Sequence, residues 1–314
     1  MFKQVLTLSL CALIAAAPLE AKSKKSSRKK VQTSQTAEKP KESAYDKLFM
    51  KKHEVADGMV KLHKIDNKLY FEFPQELFGR EMLLGSVTSE TSDNLTGVPG
   101  SKSYTPLHIT FTKTGENVQI REINADNYTL GVAGNILRSL DRNNIPTIFR
   151  NFKIDAYNAD STAVVIDVTN LFMEDNDDLT PFDPYSTFGY KPFSRTTSFQ
   201  KSNSHLGDIK AFEDNVTVKS YLSYTTTVTY SNGPVMGKIE DKRAFTALVT
   251  RTLLLPEKEM RPRIADPRMS IFVTGKARFS ANMNRGTLPV YYARHWRVEP
   301  KDVEAYKRGE LVEP

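Results

Sequence analysis

Two long stretches of strict alternation limit what this chain can become. Val216, Val218, Leu222, Tyr224, Val228 and Tyr230 are interleaved with Thr217, Lys219, Thr225, Thr227 and Thr229. Successive side chains of a strand point to opposite faces, so a period of two predicts one long, half-buried strand. Ser231-Asn-Gly-Pro234 turns the chain, and Arg243 to Leu255 returns as a second long strand, so the pair reads as a hairpin. Shorter runs repeat the pattern. Residues 58–65 and 68–73 predict two strands joined at Asp66-Asn67, both of which tolerate the left-handed region. Leu69, Phe71 and Phe73 share one face. Arg80–Val87, Leu107–Thr112, Asn117–Ile123, Phe149–Tyr157, Ile271–Ser280 and Pro289–Val298 are further strands. Thr162–Val168 is rich in β-branched residues, as in a strand buried on both sides. Helical spacing occurs at Val132, Ile136, Leu137 and Leu140, and a short helix is expected after Pro300. The fold class is therefore mainly β: an antiparallel β-sandwich or barrel-like sheets with one or two short helices. The expected organisation is a small β module over 45–90, a main β-rich domain over 91–290 and a connector over 291–314.

Between two β runs lies Leu253–Phe272, with three prolines, Arg261, Arg263 and Arg268, and Asp266. Proline fixes φ and lacks a donor, so this is a shaped connector and neither a ladder strand nor a helix interior. Ion pairing around Asp266 can brace it. It reads as a braced crossover, or alternatively as a partner-binding ridge.

The first 21 residues read as an export signal: Lys3, an apolar run from Val5 to Ala17, and Leu19-Glu-Ala21 at the cleavage site. The run is too short for a transmembrane span. Cys11, the one cysteine, falls within it, so the mature chain offers no disulfide and no thiolate. Residues 22–52 carry eleven Lys or Arg and three acids, which accounts for all of the net +7 and leaves the remainder near −1. The folded part is not a basic nucleic-acid binder, and residues 22–44 read as a disordered, solvated linker. The expected location is periplasmic, outer-surface or secreted.

Chemistry-bearing motifs are sparse. His53-Glu54 begins like H-E-x-x-H, but Asp57 stands where the second histidine belongs. His63, His108 and His295 fall in predicted strands and read as structural, and His205 falls in a long loop. Asp175, Asp177 and Asp178 lack the glycine and distal glutamate of a calcium loop and read as a solvated acidic loop. No Gly-rich phosphate loop and no G-x-S-x-G elbow is present. Phe182 to Ser204 reads as a long aromatic loop, and Tyr185, Phe188 and Tyr190 form a candidate site for a peptide or glycan.

Three stretches carry a family resemblance: Lys68-Leu-Tyr-Phe-Glu-Phe-Pro74 with Leu77-Phe-Gly-Arg-Glu-Met-Leu83; Leu255-Pro-Glu-Lys-Glu-Met-Arg-Pro-Arg-Ile-Ala-Asp-Pro-Arg268; and Arg294-His-Trp-Arg-Val-Glu-Pro-Lys-Asp302 with Gly309-Glu-Leu-Val-Glu-Pro314. Together they resemble the N-terminal half of a family of secreted bacterial zinc-dependent metalloproteases. In that family two domains of unknown function precede a metzincin-like catalytic domain. Ser270 departs from the glycine usual at that place. The catalytic domain, with its H-E-x-x-H, would begin after Pro314. The resemblance therefore implies a non-catalytic region that packs against or assists a protease domain, in cis or in trans. It implies no catalytic residue, no metal ligand and no cofactor in this chain, zinc belonging to the missing domain. A missing partner predicts an exposed apolar patch near the C-terminal segment, with Tyr291, Tyr292 and Trp296 as its candidates beside the Arg261, Arg263, Asp266 and Arg268 ridge. The alternative is a stand-alone periplasmic or surface binding module for peptide or glycan.

Overall fold

The computed structural model describes residues 43–93, 97–102, 105–129, 134–182, 193–231, 238–256, 260–280, 286–296 and 298–313. Its strands are β1 (Glu54–Ala56), β2 (Lys61–Ile65), β3 (Lys68–Pro74), β4 (Glu81–Thr91), β5 (Leu107–Thr114), β6 (Asn117–Glu122), β7 (Asn127–Thr129) and β8 (Thr147–Tyr157). They continue with β9 (Ala163–Asp167), β10 (Phe193–Phe199), β11 (His205–Ala211), β12 (Asn215–Ser231), β13 (Lys238–Leu254), β14 (Val273–Phe279) and β15 (Thr287–Ala293). Among the described residues four short α-helices accompany them: α1 (Ala44–Leu48), α2 (Asn135–Asn143), α3 (Thr169–Met173) and α4 (Val303–Lys307).

Twelve strands form one antiparallel sheet in the order β1-β2-β3-β9-β8-β6-β5-β4-β13-β12-β10, with β11 also on β12. The expected modules over 45–90 and 91–290 share this sheet. β3 pairs with β9 and β4 pairs with both β5 and β13. The sheet curls into a nearly closed barrel because β12 is forked. Its first half holds β11 and its second half holds β10. β11 then meets the β1–β2 edge. The Met59 amide donates to Phe212 O at 2.7 Å. Lys64 Nζ donates to Gly207 O at 2.7 Å, and Asn67 bonds both Ser204 O and the Leu206 amide. Gly58 is required at this seam, because a Cβ there would lie 2.6 Å from Phe212 N and O.

The predicted hairpin is the longest pairing among the described residues, running in register from Asn215–Leu254 to Ser231–Lys238. The turn at Asp66 has φ 53°, and the β2–β3 register makes it a two-residue loop. Leu69, Phe71 and Phe73 all face inward and are fully buried, as are Met82, Leu84, Ile109, Phe111, Val118, Ile120, Val216 and Val218. Each such side chain contributes roughly 1.5–3 kcal/mol over its exposed state. β9 is buried along Ala163–Ile166, as its β-branched run predicts. On the outer face Tyr70, Ala156 and Val165 are covered by α1 through Tyr45, Leu48 and Phe49.

Three expectations change in detail. Asp175 and Asp177 are exposed, as a solvated acidic loop predicts, but the strap that carries them is anchored inward on both sides. α3 buries Leu171, Phe172 and Met173, and Leu179 and Phe182 are buried beyond it. The Phe182–Ser204 segment is no continuous loop, since β10 forms over Phe193–Phe199, and His205 opens β11. The last strand stops at Ala293, so His295 and Trp296 lie beyond it.

A second, three-stranded sheet has the order β15-β14-β7, with β7 parallel to β14. The Pro- and Arg-bearing connector runs beside β15. Ile264 bridges Tyr292, the Ala265 amide donates to Tyr291 O at 2.8 Å, and the Ala293 amide donates to Arg263 O at 2.9 Å. Proline removes donors on either side of these contacts, so the connector flanks the sheet edge without becoming a full strand. Asp302 is the N-cap of α4, its carboxylate accepting from the Glu304 and Ala305 amides, and the helix ends before Gly309 at φ 82°.

Candidate functional site

The small sheet leaves an apolar end uncovered. β14 starts at Val273, opposite Ala293 of β15, and the Arg294 amide donates to Phe272 O at 2.9 Å. This pairing sets Phe272 beside the segment Arg294–Trp296. Phe272 is 84% exposed and Trp296 is 91% exposed. With Arg294 and His295 they line a shallow groove of about 340 Å³. The Arg294 guanidinium is held by Thr274 Oγ1 at 3.1 Å. Ile264, Met269 and Val298 are exposed on the same stretches of chain. Single exposed apolar residues are ordinary, but aromatic and aliphatic side chains gathered at the end of one small sheet mark an interaction surface.

The candidates named from the sequence divide between two faces. Tyr291 is about half exposed. Its neighbour Tyr292 points to the other face by strand alternation, and its hydroxyl lies 2.5 Å from that of Tyr128 on β7. The Tyr128 phenol is shifted up by burial first and by the Tyr292 hydroxyl second. Tyr292 therefore braces the sheet rather than offering a surface. Asp266 Oδ1 accepts from Arg268 N and Nε, both at 2.9 Å, and these bonds hold its carboxyl below the usual range. The Arg268, Arg261 and Arg263 side chains stand exposed along the connector. Tyr185, Phe188 and Tyr190 lie outside the described residues. The described start of their segment packs inward: Phe182 sits 4.9 Å from Tyr224 and 5.4 Å from Phe245, ring centroid to centroid.

One group that motif reading passed over organises the barrel interior. Arg251 is 1% exposed. It donates to the carbonyls of Leu171 at 2.7 Å, Glu174 at 3.0 Å and Leu179 at 3.2 Å. Burial lowers its pKa to about 10, against the pull of Tyr224 and Asp175. Ser86 and Thr88 bind the same strap through Leu179 O and Pro181 O. Asp175 accepts from the Tyr224 hydroxyl at 3.1 Å, and burial raises its pKa. A signal existed in the sequence. Arg251 follows Ala247 and Val249 and precedes Leu253 at a period of two, which places a cation on the inward face.

A larger polar concavity of about 830 Å³ lies beside α1, where Lys68, Tyr70, Asp155, Asp167, Asn170 and Lys201 converge. Lys68 is partnered there by Asp167 at 3.4 Å, and Lys201 by Asn170 at 3.1 Å. His108 is paired with Glu81 at 2.7 Å, and His205 stacks on Tyr221. Among the described residues no group of three or more His, Cys, Asp and Glu side chains is placed to hold a metal ion. No helix among them is long and apolar enough to cross a membrane.

Residues 100–301 match a domain of unknown function, DUF5117. The chain belongs to that family. A second domain of unknown function, DUF5118, matches residues 42–91. The DUF5117 match spans β5 to β15, so it takes in both the main part of the barrel and the small sheet with Phe272 and Trp296. The DUF5118 match contributes α1 and β1 to β4. No curated protein and no solved structure matched the chain.

Proposed function

We propose that this chain is the non-catalytic N-terminal region of an exported zinc metalloprotease-like protein, and that the apolar end of its small sheet receives a protease domain in cis or in trans. The observation that supports this reading is the exposure of Phe272 and Trp296 together on a sheet that buries little of its own. Aromatic anchors of this kind dominate binding energy when a partner desolvates them. The presence of two domains of unknown function agrees with the two-domain description carried by the three sequence stretches. Zinc, in this reading, belongs to the partner domain and is assigned no residue here. The Arg261, Arg263 and Arg268 ridge lies along the rim of the same sheet, where charge steers docking more than it holds it.

A photo-crosslinking side chain in place of Trp296, introduced into the protein in its native cells, tests the proposal. The expected product is a crosslink to a zinc-protease domain. It would lie within a polypeptide much heavier than 35.5 kDa in the cis case, or join two chains in the trans case. A band at or below that mass with no protease adduct would overturn the proposal and leave a stand-alone binding module.

A further inference from the structure

Five residues on the outer face of the barrel form one continuous hydrogen-bonded row. His53 Nδ1 lies 2.7 Å from Lys51 O, and His53 Nε2 lies 2.9 Å from His63 Nδ1. His63 Nε2 lies 3.1 Å from Glu72 Oε2, and the Tyr45 hydroxyl donates to the same oxygen at 2.9 Å. Phe49 stacks on His63 with centroids 4.1 Å apart and on His53 at 5.2 Å. His63 and Glu72 are buried.

Each of the four contacts needs one proton. A carbonyl cannot donate, so His53 Nδ1 must carry N–H, and in a neutral ring Nε2 is then a bare lone pair. A carboxylate cannot donate either, so His63 Nε2 must carry N–H and Nδ1 is bare. Two lone pairs would then face each other at 2.9 Å. Two neutral imidazoles, one phenol and one carboxylate thus supply three protons for four contacts. One further proton fills the gap and also makes the buried row neutral overall, since its positive charge offsets the carboxylate.

We propose that the His53–His63–Glu72 row is a proton-binding site that holds one proton beyond the neutral imidazoles, and that this proton latches the segment from Ser43 to His53 onto the barrel.

Surrounding charges are compatible with one proton and oppose a second. On β2, Lys61 repels charge on His63. Burial lowers the pKa of His63, Glu72 pulls the other way, and charge on His53 adds to the lowering, so the extra proton rests on the count of hydrogen-bond contacts and not on that ring's own affinity. On α1, burial and then Glu72 push the Tyr45 phenol up to about 12, so it keeps its proton throughout. Asp46 is turned to the Ser43 cap. Glu54 of β1 pairs with Lys64 at 3.1 Å, away from the row. On β3, Tyr70 flanks Phe49. From β8, Lys153 and Asp155 border the concavity beside Leu48.

The sign follows from proton counts. Above roughly pH 6.5 the unfolded chain holds neutral imidazoles, whereas the folded row keeps its extra proton. The latch is therefore lost as pH rises through the deprotonation of the row. Below roughly pH 6.5 the unfolded chain takes up two protons where the row accommodates one, so the contribution falls on the acid side as well.

Long-range proton–nitrogen spectra of histidine-labelled full chain, with hydrogen exchange of residues 44–53 alongside, decide the question. The expected result is one proton shared between His53 Nε2 and His63 Nδ1 at neutral pH. Its loss at alkaline pH should coincide with a drop of about tenfold or more in segment protection, corrected for intrinsic exchange. His53→Gln carries both a donor and an acceptor, so its segment should stay protected with no alkaline step. Two facing nitrogens without a proton at neutral pH, with equal protection at both ends of the pH range, would overturn the proposal. So would one equivalent of a divalent metal retained through dialysis, since a metal would then fill the gap. The wild-type spectra decide even if the variant fails to fold.

Discussion

The barrel and the small sheet are built from the same kind of strand and end in opposite conditions. The barrel encloses Phe71, Phe73, Phe111, Phe172 and Phe245 almost completely. The small sheet with its flanking connector and helix buries only Val290 and Ala305 among its described hydrophobic residues. It leaves Phe272 and Trp296 in solvent. Curling lets one sheet cover itself, while three strands cannot. The nearly closed barrel thus covers its own apolar face, whereas the small sheet leaves apolar surface in solvent.

Substitutions sharpen that contrast in order of size. Phe71→Ala removes a fully buried ring from the barrel and should cost about 3–5 kcal/mol in denaturant unfolding. A cost near that of a surface change would mean the barrel core is loose. Arg251→Ala strands three carbonyls of the interior strap and should cost about 3 kcal/mol. Exchange protection should fall first over residues 171–182, and loss confined to that strap would separate it from the barrel wall. Gly58→Ala forces a Cβ against the Phe212 backbone and should cost about 1–3 kcal/mol, read as a lower unfolding midpoint. Tyr128→Phe removes one hydroxyl of the bridge across the small sheet and should cost about 1 kcal/mol, with the barrel unchanged in exchange experiments. Phe272→Ser, made in the protein that carries the photo-crosslinking side chain at position 296, should shift stability by about 0.5 kcal/mol or less and still weaken crosslinking to the proposed protease domain. If that substitution instead unfolds the protein, the face is internal and the contrast fails.

Much of the barrel was legible because it obeys local rules. The period of two in residues 216–230, the Asp66-Asn67 turn and the β-branched run of β9 each state their own structure. Proline placement likewise exposed the connector as something other than a strand. What stayed hidden depends on distance. Nothing near Arg251 says that the carbonyls of residues 171–179 will reach it, and nothing in the acidic run says that Tyr224 will anchor Asp175. The forked pairing of β12 is equally silent, because β10 lies in a segment rich in Ser and Pro and looks like loop. The small sheet was half legible. Aromatic residues near the C-terminus drew notice, but the alternation that turns Tyr292 inward and leaves Tyr291 outward depends on where β15 starts. The histidine row escaped because His53 and His63 lack ligand spacing, and their relation is one of facing nitrogens.

The seam at Met59 and Phe212 also bears on how the molecule is made. Closure joins a residue near the start of the fold to one that leaves the ribosome about 150 residues later. Until β11 has emerged, the outer edge of β1–β2 faces water with its ladder groups unpaired, beside the apolar faces of β3 and β4. Long waits of this kind slow folding and favour pairing with the wrong neighbour. The unclosed barrel is therefore the species most exposed to mispairing, and the arrival of β11 ends that exposure.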